Sequence, residues 1–196
     1  MEKIIPRWEW RTFGLEFPEV EAKIKKEGDS FDRQSKEIYI LSENSNDNTK
    51  IRDELMDIKS PLRINEKTSL EQWTVLAKSA FPIHINDLAL VYKAFALPLP
   101  YLDKDEYSYQ EYLEKLIGDN PKLRIVQVEK IRHGYMIDEA IVEIAEVKFD
   151  DLEFKTIAVE HADPELVLKT VRQLGLEEYE NINYIKAMKR AFNLKY

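Results

Sequence analysis

The chain has 196 residues and no cysteine, and hydrophobic residues make up 44% and charged residues 34% of it. This length suits one compact domain, or one domain that carries an insertion, and the apolar content is sufficient for a core. The lack of cysteine excludes disulfides, thiolate zinc sites and a cysteine nucleophile. With 29 Lys and Arg against 37 Asp and Glu, the net charge of -8 argues against nonspecific binding to nucleic acid or to an acidic membrane.

The composition also limits which metal ions the chain could bind and whether a segment could span a membrane. The chain has three histidines, so a metal site would be built mainly from carboxylate oxygens, which favour Mg²⁺, Mn²⁺ or Ca²⁺. No stretch is long and apolar enough to span a bilayer, and the polar opening segment does not resemble a signal peptide. We therefore expect a soluble, cytoplasmic protein that has no membrane partner.

Charged and apolar residues alternate along parts of the first half of the chain, and this alternation predicts β-strands. One side of residues 4–13 is charged, and the other side carries two tryptophans. A short helix follows over residues 18–27. The polar segment 43–48 is expected to be a loop because it contains no apolar residue. Further strands are predicted over residues 36–42, 50–59, 62–64 and 70–78.

The residue patterns in the second half of the chain predict helices, then strands, then helices again. Helices are expected over residues 86–97 and 107–117, the second of them ending at Gly118. Strands over 123–132, 140–149 and 154–160 and helices over 164–174 and 179–192 complete the chain. Short connections make the strands antiparallel, so about eight strands with flanking helices indicate an α+β fold rather than a doubly wound sheet. The chain has no glycine-rich phosphate loop.

Basic residues recur two positions apart on several of these strands. Residues two apart on a strand point to the same face, so each pair marks one face of its strand. If the strands close into a barrel, the basic faces could converge on its lumen. The cations concerned are Arg7, Arg11, Lys50, Arg52, Arg124, Lys130 and Arg132, with Lys59 placed more loosely.

Such a convergence would need compensating negative charge. Cations repel one another, and desolvating them without partners is unfavourable by several kcal/mol each. A fold therefore keeps this arrangement only if carboxylates or a bound polyanion balance it. Arginine and lysine together suit phosphate oxygens. The alternative is that these residues form solvated faces of an ordinary antiparallel sheet, since any half-buried strand alternates in this way.

The order of the charged motifs resembles the CYTH superfamily, also called the triphosphate tunnel metalloenzymes. Members open with a Glu-x-Glu-x-Lys strand, which corresponds here to the run from Arg7 to Arg11 (RWEWR). The similarity continues through TKIRD, LMDIK and VEKIR to a helix that ends in Leu174-Gly175-Leu176. It covers nearly all of a single domain, residues 1–196, except residues 80–120, which look like a helical insertion.

The resemblance implies an eight-stranded antiparallel tunnel that binds a triphosphate-containing ligand on basic residues, with Mg²⁺ or Mn²⁺ on acidic ones. Family activities include hydrolysis of inorganic triphosphate, thiamine triphosphate or RNA ends, and some members are adenylate cyclases. Metal-binding and catalytic roles are implied for Glu9, Glu143 and Glu160. The implied substrate-binding residues are Arg7, Arg11, Lys50, Arg52, Lys59, Lys130 and Arg132.

Three family carboxylates are missing at the matching positions. Arg7 stands in place of the first glutamate, and Ala158 in place of the first glutamate of the last strand. The family aspartate falls on Ala145, unless a bulge brings Glu146 round to the same face. Three carboxylates could still hold a hard divalent ion that borrows phosphate and water oxygens, but losing ligands weakens its action as a Lewis acid. We therefore expect binding to be better preserved than catalysis.

Three functions are compatible with these observations. The leading hypothesis is a basic tunnel that binds a triphosphate or polyphosphate, with metal-dependent hydrolysis as an added activity. The second is a non-catalytic sensor or adaptor that binds polyphosphate or nucleotide and signals through the inserted helices. The third is a structural interaction domain with a vestigial tunnel, whose helices at 86–117 contact a partner protein. None of them predicts sequence-specific binding to nucleic acid.

Overall fold

The computed structural model describes residues 5–28 and 30–196, and no helix within them is long and apolar enough to cross a membrane. The strands are β1 (Trp8–Gly14), β2 (Phe31–Ser42), β3 (Ser45–Arg52), β4 (Leu55–Ile64), β5 (Glu71–Ala80), β6 (Ile83–His84), β7 (Glu106–Tyr107), β8 (Leu123–Ile137), β9 (Ala140–Phe149) and β10 (Leu152–His161). The helices are α1 (Pro18–Lys25), α2 (Ile85–Ala94), α3 (Tyr109–Glu111) with a π-helical continuation (Tyr112–Gly118), α4 (Pro164–Leu174) and α5 (Tyr184–Ala191).

Eight of the strands form a closed antiparallel barrel, in the order β1-β10-β9-β8-β2-β3-β4-β5. With the helices packed around it, this barrel confirms the predicted α+β fold class. Seven of the eight junctions between neighbouring strands contain at least four paired residues. Within the described residues, the junction between β1 and β5 contains two pairs, Trp8 with Gln72 and Glu9 with Glu71.

The structure corrects the prediction of a loop over residues 43–48. The turn is limited to Glu43 and Asn44, and β3 begins at Ser45. A polar strand is stable here because every second side chain faces the interior of the barrel, which is itself polar. The first strand begins at Trp8, and residue 4 of its predicted range lies outside the described residues.

Other boundaries also differ from the prediction, since β2 begins at Phe31 rather than at residue 36 and β8 continues to Ile137 rather than ending at residue 132. Segment 50–59 is not one strand, because Asp53 and Glu54 form a turn with positive φ angles of 52° and 54° between β3 and β4. Segment 62–64 is the end of β4 rather than a separate strand. The last helix, predicted over 179–192, is the shorter α5.

Two apolar cores lie outside the barrel wall. α1 and α4 cover one side, where Ile24 and Val167 are buried. α2 and the π-helical segment cover another side, where Ile58 and Leu88 are buried. The apolar residues of α2 are therefore part of the core. A protein partner on these helices, and their assignment as an insertion at 80–120 in a single domain, stay predictions.

A third core lies inside the barrel and closes one of its ends. α5 packs against inward-facing residues of β2, β8 and β9, so that Ile185 and Met188 are buried together with Tyr39 and Phe149. The side chain of Asn183 caps the start of this helix by accepting a hydrogen bond from a backbone N–H. The barrel is therefore a tunnel with one blocked end, and its charged residues lie toward the other end.

Candidate functional site

Strand register places carboxylates from three strands side by side inside the barrel. Residues that pair directly across antiparallel strands lie on the same face of the sheet. Glu9 on β1 pairs with Glu160 on β10 and, on its other side, with Glu71 on β5. We call these three residues the acidic row. The sequence predicted Glu9 and Glu160 as site residues and missed Glu71.

Arg11 lies next to the acidic row and binds two carboxylates. Its guanidinium Nε donates to Glu9 Oε1 at 2.5 Å, and its Nη1 donates to Glu143 Oε1 at 3.2 Å. Ala158 lies between Arg11 and Glu143 in the sheet, and its small side chain leaves room for the guanidinium. Burial lowers the pKa of Arg11, but Glu9 and two other neighbours together raise it well above its usual range. Arg11 is therefore a fixed positive charge inside the barrel.

The charge of Glu160 is poorly compensated. Burial, reinforced by the charges of Glu9 and Glu143, raises its pKa to about 7. Arg11 and Arg7 act in the opposite direction, and the Arg7 guanidinium Nη1 lies 3.6 Å from Glu160 Oε2. Glu160 therefore exchanges a proton near neutral pH.

Replacing Glu160 with glutamine should make the protein more stable above neutral pH. A carboxyl whose pKa is raised from 4.5 to about 7 by folding stabilises the fold at low pH, and this contribution is lost as the pH rises through 7. Glutamine stays uncharged, so the variant should exceed the wild type by about 1–3 kcal/mol at roughly pH 8 and match it at roughly pH 4. Urea unfolding at the two pH values measures this, with the outward-facing Glu146→Gln as control. A variant that is no more stable than the wild type at the higher pH would contradict the assignment.

A second group of charges lies on β2, β3 and β8, across the barrel from β1. It consists of Glu37, Lys50, Arg52 and Lys130, and we call it the Glu37 cluster. Glu37 Oε2 accepts hydrogen bonds from Lys50 Nζ at 3.1 Å and from Lys130 Nζ at 3.0 Å. The Arg52 guanidinium Nη1 lies 3.6 Å from Glu37 Oε1. Burial raises the pKa of Glu37, yet the two lysines hold it far below its usual range.

Lys130 is enclosed between this carboxylate and two aromatic rings. Its Nζ donates to the Tyr39 hydroxyl at 2.8 Å and lies 4.0 Å from the centroid of the Tyr184 ring, which is a cation–π contact. Burial lowers the pKa of Lys130 to about 7, because one carboxylate that it shares with Lys50 offsets only part of the desolvation.

Two of the predicted cations, Lys59 and Arg132, form no ion pair with any residue in 5–28 or 30–196. Arg132 Nη2 donates to Ser35 Oγ at 3.1 Å, whereas its buried Nε has no partner. Arg33 pairs directly with Arg132 across β2 and β8. Like charges directly opposite each other destabilise a strand pair. This arginine pair is therefore a place where the barrel lacks negative charge.

A cavity of about 420 Å³ lies at the open end of the barrel. Its lining includes Arg7, Glu9, Lys59, Trp73 and Glu160. A volume of this size accommodates a small-molecule ligand. The cavity gives solvent access to the acidic row and to the unpaired Lys59.

The ten residues that the family resemblance implies lie in four neighbouring places. They are found at the mouth (Arg7, Glu9, Lys59 and Glu160), beneath it (Arg11 and Glu143), in the Glu37 cluster (Lys50, Arg52 and Lys130) and beside Arg33 (Arg132). Register thus brings cations from distant parts of the sequence to one interior. Their roles in binding and catalysis stay predictions.

The expectation that Glu146 could replace the family aspartate is wrong. β9 pairs with β8 and with β10 in continuous register, without a bulge. Ala145 therefore faces the interior, where it is buried, and Glu146 faces outward and is exposed. The interior consequently has no carboxylate at this position.

Sequence reasoning also missed Glu37, Asp57 and Arg33. Glu37 alternates with Tyr39 on a strand that was correctly predicted, so the period-two rule that placed the cations could have placed Glu37 on the inner face as well. Asp57 stands opposite Lys50 and is buried, with an Oδ1 that has no partner among the described residues. These acidic residues explain how the converging cations are tolerated.

The residues present do not fit a resident divalent metal ion. The carboxylates of the acidic row are turned toward three different cations, namely Arg11 for Glu9, Arg7 for Glu160 and Lys186 for Glu71. Across residues 5–28 and 30–196, no group of three acidic or histidine side chains is arranged to hold a metal ion. Arg11 lies between Glu9 and Glu143 and supplies positive charge that partly balances them.

Comparisons with solved structures agree on the fold. HpAC1 from Hippeastrum, named for adenylyl cyclase and described with a dominant triphosphatase activity, is 10% identical with a TM-score of 0.50, over 94% of this chain and 96% of its own. PH1012 from Pyrococcus horikoshii OT3 is 17% identical with a TM-score of 0.50, over 92% and 98%. A conserved protein from Pyrococcus furiosus is 13% identical with a TM-score of 0.50, over the same shares. No protein-family model and no curated protein matches the sequence. The chain therefore shares the fold of these proteins, as the family resemblance implied.

Proposed function

We propose that the barrel binds the phosphates of a linear triphosphate or polyphosphate through its open end. The observation that carries this proposal is the pair of Arg33 and Arg132, which lie side by side without a carboxylate partner in the described residues. A phosphate group suits such a pair because its oxygens accept several charge-assisted hydrogen bonds at once. Lys59 and Arg7 at the mouth add positive charge for a neighbouring phosphate.

The acidic row restricts where a phosphate chain would lie. Glu9 and Glu71 repel an anion, although each is partly neutralised by a cation. The wall formed by β2, β3, β4 and β8 carries the predicted cations that lack a partner, together with the Glu37 cluster. We therefore place the ligand on this wall, away from β1.

Binding without turnover is the function that this geometry supports best. Arg11 holds Glu9 and Glu143, and the carboxylates of the described residues do not converge on a point where they could share a metal ion. This agrees with the hypothesis of a non-catalytic sensor or adaptor for polyphosphate or nucleotide. We propose that such a protein works in the cytoplasm, as its cysteine-free composition indicates.

Hydrolysis with Mg²⁺ or Mn²⁺ is the second candidate. It is favoured by the triphosphatase activity described for HpAC1, which shares the fold, and it would require Glu9, Glu143 and Glu160 to turn from their arginine partners toward an added ion. Phosphate release from tripolyphosphate in the presence of Mn²⁺ separates the two candidates. Release above the buffer rate selects hydrolysis, and binding without release selects the sensor. A protein that binds no phosphate compound would instead have a purely structural role.

Replacing Arg132 with alanine should weaken tripolyphosphate binding by about 10- to 100-fold, since a hydrogen bond to a charged group contributes about 1.5–3 kcal/mol. Isothermal titration calorimetry with and without Mn²⁺ measures this. The matched control is Arg172→Ala, which removes an exposed arginine from α4 and should leave the affinity unchanged. Equal affinities of the wild type and Arg132→Ala would contradict the placement of the ligand, and the absence of any wild-type binding would contradict the proposed function.

A further inference from the structure

Glu37 holds three of the cations that the family resemblance assigns to phosphate. Lys50 and Lys130 both donate to its Oε2, at 3.1 and 3.0 Å, and Arg52 lies 3.6 Å from its Oε1. The Ser35 hydroxyl donates to the same Oε1 at 3.3 Å. One carboxylate is thus surrounded by four donor groups from three neighbouring strands. These are the surroundings in which a protein holds a bound anion.

The centre of the cluster is buried, whereas its outer cation, Arg52, has a side chain that is 31% exposed. The Glu37 side chain is fully buried, and the side chain of Lys130 is 4% exposed. Glu37 is the carboxylate that all three cations share, while Asp53 also lies 3.8 Å from Arg52 and the buried Asp57 stands opposite Lys50. If Glu37 were neutral, Lys50 and Lys130 would lose their shared partner and would accept a further anion. A buried group of cations without this carboxylate would be a strong phosphate site.

The cluster also lies deeper in the barrel than the unpaired arginines. On β2 and β8, the pair Ser35–Lys130 comes one inward-facing position after the pair Arg33–Arg132, in the direction of α5. A phosphate chain that enters at the mouth reaches Arg132 first. Its innermost phosphate would meet Lys130 and Lys50, which are already engaged by Glu37.

We infer that Glu37 takes the place of the innermost phosphate and thereby limits the length of the phosphate chain that the barrel binds. This inference rests on the proposed function, to which it adds one residue that determines specificity. In the wild type, pyrophosphate and tripolyphosphate use the same cations near the mouth. The third phosphate gains no cation of its own, so the two ligands bind with similar affinities.

Replacing Glu37 with glutamine keeps the shape of the side chain and removes its charge. We expect Glu37→Gln to bind tripolyphosphate more tightly than pyrophosphate by about 10-fold or more, because the third phosphate then reaches Lys50 and Lys130. Isothermal titration calorimetry with sodium pyrophosphate and sodium tripolyphosphate, without added metal, gives the ratio of the two affinities for each protein.

A matched control separates this effect from a general change in charge. Glu71→Gln removes a half-buried carboxylate from the other wall, where it accepts hydrogen bonds from Asn183 and Lys186. It should raise both affinities alike and leave their ratio unchanged. If Glu37→Gln does not fold, the double variant Glu37→Gln, Lys130→Met removes one charge of each sign and still frees Lys50 and Arg52, so the same rise in the ratio is expected from it.

The outcomes distinguish this inference from the function on which it rests. A ratio near one in the wild type that rises in Glu37→Gln, or in the double variant, supports the inference. A wild type that already prefers tripolyphosphate by about 10-fold, or a ratio that neither variant changes, overturns the role of Glu37 while leaving the phosphate site in place. If the wild type and the variants bind neither compound, the proposed function itself fails.

Discussion

Replacing Arg11 with methionine is expected to lower the free energy of unfolding by about 3 kcal/mol at roughly pH 8, because removing one partner of a buried ion pair leaves the other charges uncompensated. Arg11 is 5% exposed and binds both Glu9 and Glu143, so the substitution leaves two carboxylates close together without their shared cation. Methionine fills similar space and makes no hydrogen bond, so the loss reports on charge rather than on a cavity.

The pH dependence of this loss identifies its cause. Arg11 also lowers the pKa of the neighbouring Glu160, which is about 7, so at roughly pH 4 Glu160 is neutral and no longer repels Glu9 and Glu143. The variant should therefore recover part of its stability relative to the wild type at this pH. Urea unfolding followed by tryptophan fluorescence at both pH values measures the difference. Arg172→Met, at an exposed arginine of α4, should have little effect at either pH. An Arg11 variant that loses less than about 1 kcal/mol, or the same amount at both pH values, would show that Arg11 does not balance these carboxylates.

Replacing Met188 with alanine should lower the free energy of unfolding by about 2–5 kcal/mol, the usual effect of a cavity in a packed core. Met188 is fully buried where α5 closes the barrel, in contact with residues such as Tyr39 and Phe149. The loss is expected at every pH, in contrast to that of the Arg11 variant, because no charge is involved.

The chain offers a matched control for this substitution. Met136 lies on β8 and is 55% exposed, so Met136→Ala should change the stability by less than about 0.5 kcal/mol. Thermal unfolding of both variants against the wild type makes the comparison. Similar losses in the two variants would show that α5 does not form a tightly packed closure.

Alternation predicted the strands and the cations that share a face, whereas the closed barrel was implied by the family resemblance. Alternation with period two on several strands is a local signal, and closing those strands brings the same face of each to one interior. The partners of the cations were harder to predict. Glu37 and Glu71 obey the same alternation, but a single carboxylate on a strand carries no sign that it meets a cation from another strand, because pairing depends on register between distant segments.

The turns and α5 show where local patterns fail. Residues 43–48 look like a loop because no residue among them is apolar, yet β3 begins there since its inner face meets a polar lumen. The amphipathic pattern of α5 predicts a helix, but a helix that packs inside a barrel has the same pattern as one that packs on its surface. Its role as the closure of the tunnel is a property of the tertiary structure alone.

The junction between β1 and β5 has the fewest paired residues of the barrel wall within the described residues. Two residue pairs join these strands in the described part of the chain, and the other junctions contain at least four. Beyond these pairs the segment before α5 joins the two strands: the Arg11 N–H donates to Asn181 Oδ1, and the Arg11 carbonyl accepts from the Ile182 N–H. Asn181 and Asn183 in turn donate to Ser69 and Glu71, next to and at the start of β5. Glu9 and Glu71 lie opposite each other at this junction, and each is paired with a cation of its own. The segment that joins β1 to β5 and the helix that blocks the barrel belong to one continuous stretch of chain, so loosening either of them is expected to loosen the other.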